Sequence, residues 1–401
     1  MIIFIVVLDA MGFGLVYPLF SAMVFDPHST LLHPSTSQTV RGILFGILLS
    51  SMPVTQMVVA PWIGRLSDKY GRKPVILFVL SFGVLSSLGA AVSIQGQFLI
   101  GLILSRACMG VCFVSYALVN TSIVDASNDE NRGRRLAWVQ SAFGAGFALG
   151  PFFWGILVNE TLFGTLNYAR PFLVNGLLIS MNIVCVLLWL PETNRSVGQS
   201  KERSADTQSL FSVDKTVLLL LLATFSLCFG WSMYFEFVPV WWIRWFAMSA
   251  SDIGIYFSYW GILYVATTAF VVGPMLKLFP PQLLFERASF LLALLVLPVF
   301  FITVPALYFF LMPFQNLCVG LLIPLTALII SEKAPPDDRG RIIGFQASAE
   351  SLGFGLSPCL AGPLLGLHLL VPAVIAVLCL LLASLTMRYV RKKSTLHPIT
   401  S

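Results

Sequence analysis

Asp9, Arg106, Glu236 and Glu350 stand inside long apolar stretches of a 401-residue chain that is 57% hydrophobic and only 10% charged. A carboxyl or guanidinium deep in hydrocarbon is costly and is a functional candidate by default; an acid there can take up and release a proton. The competing reading is a structural ion pair or hydrogen-bond anchor. Asp9 lies about 12 Å along its span at 1.5 Å per residue, and Glu350 about 13 Å beyond Arg341, with no cation within one helical turn. Arg106 and Asp9 differ in depth by about 6 Å, so a direct or water-bridged pair is open to them. In the second half of the chain, Asn316 stands nearest to where a counterpart of Arg106 would be. The run Trp231–Phe246 sets eight aromatic residues around Glu236 and Arg244. Most of these rings read as an interfacial belt at the outer end of their span. Tyr234, Glu236 and Asn316 are candidates for a substrate-cavity wall, where an acid favours cationic or zwitterionic substrates.

A second constellation is Gly64–Val75, where Arg65, Lys69, Arg72 and Lys73 surround Asp68 between two apolar runs. Such a cluster cannot lie in hydrocarbon and reads as a short aqueous turn, with Gly64 and Gly71 permitting the turn and Pro74 in the first turn of the next helix. It is either a plain topology signal or a movable latch anchored on Asp68. A third is Ala142, Gly146, Gly150, Pro151 and Gly155. Small residues at four-residue spacing let helix backbones approach closely, and the proline bends the helix. Ala349, Gly353, Ser357 and Ala361 mirror it.

These residues need helices to hold them. Spans of about 20 apolar residues cross a bilayer, and twelve are read: roughly 2–25, 42–63, 74–94, 98–120, 136–158, 171–190, 216–241, 252–275, 283–302, 306–330, 342–366 and 369–387. Of the 24 cations, all but Arg41, Arg106, Arg170 and Arg244 fall on one side of the alternating connections. The positive-inside rule then places both termini in the cytoplasm, and the net charge of +6 is a topology signal, not a nucleic-acid footprint. The first 25 residues lack a basic leader and carry Asp9, so they read as a retained first span, with room for a start further upstream. Residues 1–190 and 216–401 form two six-helix halves joined by a polar linker over 191–215. Arg132-Gly133-Arg134, Gly146, Pro151 and Gly155 recur as Arg339-Gly340-Arg341, Gly353, Pro358 and Gly362, a parallel internal repeat. The fold class is therefore all-α integral membrane, twelve transmembrane helices in two pseudo-repeats.

The four histidines are scattered, the seven cysteines have no zinc spacing, and no Walker motif is present. Neither a metal nor a cofactor is expected, and no nucleophile–base set suggests an enzyme.

The Gly64–Val75 stretch resembles the loop between helices two and three of the major facilitator superfamily, with Lys69 where arginine is more frequent. The run from Leu8 through Asp9 to Phe20, with Ala60-Pro61-Trp62, resembles the drug:proton antiporter branch, the tetracycline-efflux type in particular. Arg106 with Gly110 resembles the helix-four motif implicated in proton coupling, and Gly146, Gly150, Pro151 and Gly155 the antiporter motif. The resemblance implies the major facilitator fold. It implies Gly64, Asp68, Gly71, Arg72 and Lys73 as a conformational latch, and Asp9 ahead of Glu350 as proton carrier, with Arg106 and Glu236 also candidates. The expected function is proton-coupled efflux of a small amphipathic compound by alternating access, from a bacterial inner membrane and as a monomer. The partners are then the substrate, protons and the bilayer, with no nucleic acid. Uptake or exchange of a metabolite is the alternative, and a non-transporting receptor on the same fold a remote one. Asn159-Glu160-Thr161, a glycosylation sequon, leaves a eukaryotic source open.

Overall fold

The computed structural model describes residues 2–26, 31–125, 129–159, 162, 164–192, 214–302, 304–333 and 339–396. Among the described residues, sixteen α-helices build the spans. The first is α1 (Ile2–Gly14) and α2 (Val16–Phe25); the second and third are α3 (Gln38–Tyr70) and α4 (Arg72–Gln95). The fourth is α5 (Leu99–Cys112) and α6 (Val114–Asp125); α7 (Asp129–Val158) and α8 (Ala169–Trp189) complete the first six. In the second half come α9 (Lys215–Phe235) with α10 (Val238–Phe246), then α11 (Ala250–Phe270) with α12 (Val272–Leu278). After them stand α13 (Pro281–Val296), α14 (Pro305–Lys333), α15 (Arg339–Leu365) and α16 (Val371–Leu396). Among the described residues, eleven spans are long and apolar enough to cross a membrane. The twelfth, α15, has 27 residues, ample length at 1.5 Å each, but Gln346, Ser348, Glu350, Ser351 and Ser357 make it polar. Large apolar side chains such as Leu85, Val92, Leu188 and Phe270 are exposed, as the outer surface of a membrane protein requires.

Proline explains where spans break. The interruptions at Leu15, Glu236 and Val271 each come three residues before a proline, Pro18, Pro239 and Pro274. A proline inside a helix has no N–H to give and crowds the carbonyl four residues back. The break at Phe113 has no proline.

Contacts group the chain into two units, Met1–Ala205 with Trp242–Ile262, and Asp206–Trp241 with Leu263–Ser401. In the first unit, α7 packs against α1: a Cβ on Gly146 would collide with the Val7 carbonyl, and one on Gly150 would meet the Met11 carbonyl at 2.7 Å. Its other flank meets α11, where a Cβ on Gly155 would lie 3.1 Å from Ser251 Cα and one on Gly254 would collide with the Pro151 carbonyl. Trp154, fully buried, donates its indole N–H to the Met11 carbonyl at 2.6 Å. In the second unit the same geometry returns. Gly353 of α15 lies on α9, where its Cβ would be 2.9 Å from Cys228 Cβ and 2.9 Å from the Phe229 nitrogen. The repeat read in the sequence is thus also a repeat of packing, span five on span one and span eleven on span seven.

The latch stretch departs from expectation. The helix does not turn at Gly64 but runs on through Asp68 to Tyr70, so α3 projects beyond the apolar run. A Cβ on Gly64 would meet nothing within 4 Å, and the turn is confined to Gly71 at φ +101°. A charged segment marks the end of hydrocarbon, not the end of a helix, which keeps its own hydrogen bonds in water.

On the other side, the Arg41 guanidinium is buried and donates to the carbonyls of Val24, His33 and Thr36. Tyr168 donates to Asp26 at 3.3 Å; burial and that carboxylate push its hydroxyl well above the ordinary value, which keeps it a donor.

Replacing Gly150 with leucine should force α7 from α1 at an overpacking cost of about 1–3 kcal/mol, lowering the melting temperature. Gly64→Leu should leave it unchanged. Thermal unfolding of the two purified variants checks this, and equal melting of both would show that α7 does not need the small stripe.

Candidate functional site

Asp9 of α1 is where span one meets spans four and six. Ser115 of α6 donates its hydroxyl to Asp9 Oδ2 at 3.0 Å, and Asn182 of α8 donates its amide N–H to Oδ1 at 2.7 Å. Both donors are neutral. With no water in hydrocarbon, a carboxyl persists there only if the protein supplies its hydrogen bonds. Asn175 stands seven residues before Asn182, two turns along the same face of α8. Its amide donates to Ser87 Oγ at 3.0 Å. A small cavity opens beside the carboxyl, lined among others by Asp9, Gly12, Phe13, Met109, Ser115 and Asn175, with room for about one water molecule.

Arg106 is buried but does not pair with Asp9. It donates to Met52 Sδ at 3.3 Å and toward the Leu48 carbonyl at 3.5 Å, and its guanidinium lies 5.2 Å from the Phe20 ring centroid. Close depth along two helices does not put two side chains on facing sides, and Arg106 is satisfied by span two and an aromatic face. Next to the Asp9 pocket, Phe13, Phe113, Tyr116 and Phe143 form a continuous set of rings. Phe13 and Phe113 stack at 5.1 Å between centroids, and Tyr116 lies 4.8 Å from Phe143. All four are only partly buried.

The second unit has its own half-buried carboxyl inside a span. Glu350 of α15 accepts from Gln346 Nε2 at 2.8 Å and from Thr326 Oγ1 of α14 at 3.1 Å. Both acids therefore rest on one amide and one hydroxyl. Glu236, by contrast, is buried and accepts from Ser232 Oγ at 2.9 Å. Tyr234 receives the amide N–H of Gln315 at 3.0 Å. Neighbouring Asn316 is fully buried, and neither of its amide atoms has a partner among the described residues. The aromatic run around them is not an interfacial belt. Trp231, Tyr234, Phe235, Phe237, Trp241 and Trp242 are all buried, and only Trp245 is open. The break at Glu236 before Pro239 separates α9 from the nine-residue α10, and the rings on both sides of it are buried.

In the Gly64–Val75 stretch, Asp68 pairs with Arg72 at 2.7 Å. Arg72 and Lys73 also offer their backbone N–H groups to Glu192, at 2.9 and 3.1 Å. These are donors of the first turn of α4, which has no intrahelical acceptor for them, and a carboxylate suits the positive end of a helix. A Cβ on Gly71 would sit 2.5 Å from Glu192 Oε2, so the glycine is required by the carboxylate as well as by its φ. The Lys73 ammonium donates to the Leu187 carbonyl at 2.8 Å.

Sequence reasoning missed Ser115, Asn175, Asn182, Thr326, Gln346 and Glu192. The seven-residue spacing of Asn175 and Asn182 in an apolar span was the available signal. The side chains of Arg132, Arg134, Arg339 and Arg341, most of the linker 191–215, and Glu160 and Thr161 of the sequon lie outside what the structure describes.

Known proteins agree with this architecture. The tetracycline resistance protein of class H from Pasteurella multocida is 28% identical over 68% of this chain and 66% of its own length. That of class B from Escherichia coli is 28% identical over 67% and 64%. The chain thus matches just under two thirds of these relatives' lengths. Multidrug resistance protein 2 of Bacillus subtilis is 23% identical over 96% of this chain and 93% of its own. Among solved structures, the xylose transporter XylE from E. coli superposes with a TM-score of 0.75 at 15% identity, covering 96% and 95%. The human organic anion transporter MFSD10 (TETRAN) gives 0.67 at 19%, covering 97% of both. At these identities the structures speak for the fold alone. The family model of the Major Facilitator Superfamily matches residues 2–358 and 220–399. The apolar helical spans, the repeated packing of small residues and this match together make the chain a multi-pass membrane protein that belongs to the Major Facilitator Superfamily.

Proposed function

We propose that this transporter exports a small amphipathic compound in exchange for protons, by alternating access of its two six-helix halves. The observation that carries the reading is Asp9: a carboxyl in mid-span, held only by neutral donors from Ser115 and Asn182 and facing a water-sized cavity. No ion pair commits it to the charged state, so it can exchange a proton as the pocket opens and closes. Glu350, on Gln346 and Thr326, is the second coupling acid. The tetracycline and multidrug resistance relatives support export and make tetracycline the first substrate to try. The partly open rings of Phe13, Phe113, Tyr116 and Phe143 support a compound with a planar apolar body. Tyr234, Glu236 and Asn316 are the polar candidates of the second half. Arg106 holds span four against span two and acts on Asp9 only indirectly. Asp68 and Arg72, with Gly71 and Glu192 behind them, form the latch. The protein works as a monomer in a bacterial inner membrane, both termini cytoplasmic.

In liposomes with an imposed pH gradient, the wild type should concentrate tetracycline against its gradient in the direction opposite to proton flow. Accumulation in the same direction as protons would make the protein a symporter. Asp9→Asn should abolish uphill transport while leaving substrate-driven exchange measurable, and Glu350→Gln should weaken it. Undiminished accumulation by both variants would remove both acids from coupling, with Glu236 next to test.

Asp68→Asn should cut transport at least about tenfold with insertion and melting temperature nearly intact, because the Asp68 carboxylate faces water and buried Arg72 keeps its bond to Ser67 Oγ. Transport equal to wild type at matched protein level would reduce the segment to a topology signal.

A further inference from the structure

In the second unit, the end of α16 meets the start of α13 around a carboxylate. Glu286 of α13 accepts from Arg391 Nε of α16 at 2.8 Å, and Arg388 Nε stands 3.9 Å from its other oxygen. Ser384 Oγ donates to the Glu286 backbone carbonyl at 2.8 Å. Around this joint gather Arg287, Arg388, Arg391, Lys392 and Lys393. Arg287 and Lys393 are exposed and pair with no carboxylate among the described residues. The surfaces leading to these cations are apolar. On α16, Val374, Leu378, Leu382, Leu385 and Tyr389 are exposed and recur every three or four residues, which makes one stripe along the helix. On α13, exposed Phe290, Leu291 and Leu294 follow Arg287 at the same spacing. Both stripes thus end in charge within one helical turn. Apolar residues, then a tyrosine, then cations is the order of a bilayer from acyl chain to headgroup. The first unit does not repeat this. At the start of α4 and the end of α8, Asp68 and Ser67 hold Arg72, and the Leu187 carbonyl takes the Lys73 ammonium. Exposed Leu188 and Trp189 bring no charge there.

We propose that α13 and α16 together seat an anionic phospholipid, with its acyl chains along the two stripes and its headgroup among Arg287, Arg388 and Lys393. A cluster of cations directly beyond a membrane helix attracts anionic headgroups. The excess of positive charge disfavours the amine of a zwitterionic lipid. Glu286 is a positioning residue: through Arg391 it ties the two helices so that cations of both serve one headgroup. With both termini cytoplasmic, the seat lies in the inner leaflet. It does not depend on what the protein carries.

The test needs no transported substrate. The purified full-length protein in detergent is mixed with equal amounts of phosphatidylglycerol and phosphatidylcholine, and bound lipids are counted by native mass spectrometry. The wild type should retain phosphatidylglycerol in preference. Arg287→Gln combined with Lys393→Gln, one exposed cation from each helix, should weaken that retention about tenfold. Arg287→Lys with Lys393→Arg should keep it. Arg65→Gln with Lys69→Gln removes two exposed cations elsewhere on the same side and should change nothing. An equal loss in that variant would mean diffuse surface charge and overturn the site. Inorganic phosphate at matched ionic strength should displace no lipid; displacement would make this a phosphate site without a role for the stripes, and overturn the lipid assignment. Equal retention of both lipids by the wild type would overturn it too. A protein that binds the lipid in this way yet exports nothing would contradict the efflux reading and leave this one standing.

Discussion

Hydrocarbon offers no hydrogen bonds, so every polar group carried into it must find its partners inside the protein. The organisation of the described spans depends on this. Asp9 draws Ser115 from span four and Asn182 from span six onto one carboxyl. Glu350 draws Thr326 from span ten. The two halves reach the same solution, one amide and one hydroxyl per acid, with different residues at different positions. Neutral donors hold the carboxyl without an opposing charge that would resist its gaining or losing a proton. That choice separates Asp9 and Glu350 from Asp68, which faces water and pairs with Arg72.

Close packing of backbones brings the donors within reach. Gly146 and Gly150 let α7 lie directly on α1 along the Val7–Met11 segment that carries Asp9. Proline then divides spans one, seven and eight at Leu15, Glu236 and Val271. Helix ends inside a membrane are tolerated where the protein surrounds them, and the break at Glu236 sits among buried rings. Outside the hydrocarbon, Glu192 extends the same economy: one carboxylate satisfies two orphan N–H groups of α4 and joins the end of span six to the turn at Gly71.

The span pattern and the repeat were legible in the sequence because the cost of placing charge in hydrocarbon confines it to loops. The acids were legible for the same reason. A carboxyl at Asp9 stands out in an apolar run, and so does Glu350. Their partners did not stand out, since serine, threonine and asparagine are tolerated in membrane helices whether or not they hold anything, and only tertiary packing brings Ser115 and Asn182 to one point. Arg106 illustrates the same limit, because depth was readable but facing was not. The stretch from Gly64 was misread as a turn because charge reports the water boundary, not the helix boundary. The aromatic run from Trp231 was misread as a belt because composition cannot say that the rings on both sides of the break at Glu236 are buried.

The central claim is that Asp9 carries an exchangeable proton in its pocket. Infrared difference spectroscopy of the purified protein, recorded across a pH titration, reads this directly through the carbonyl stretch of a protonated carboxyl. The account predicts a band that appears and disappears with pH, is lost in Asp9→Asn, and shifts when Ser115→Ala or Asn182→Leu removes one donor. A pH-dependent carboxyl band unchanged in Asp9→Asn would contradict it.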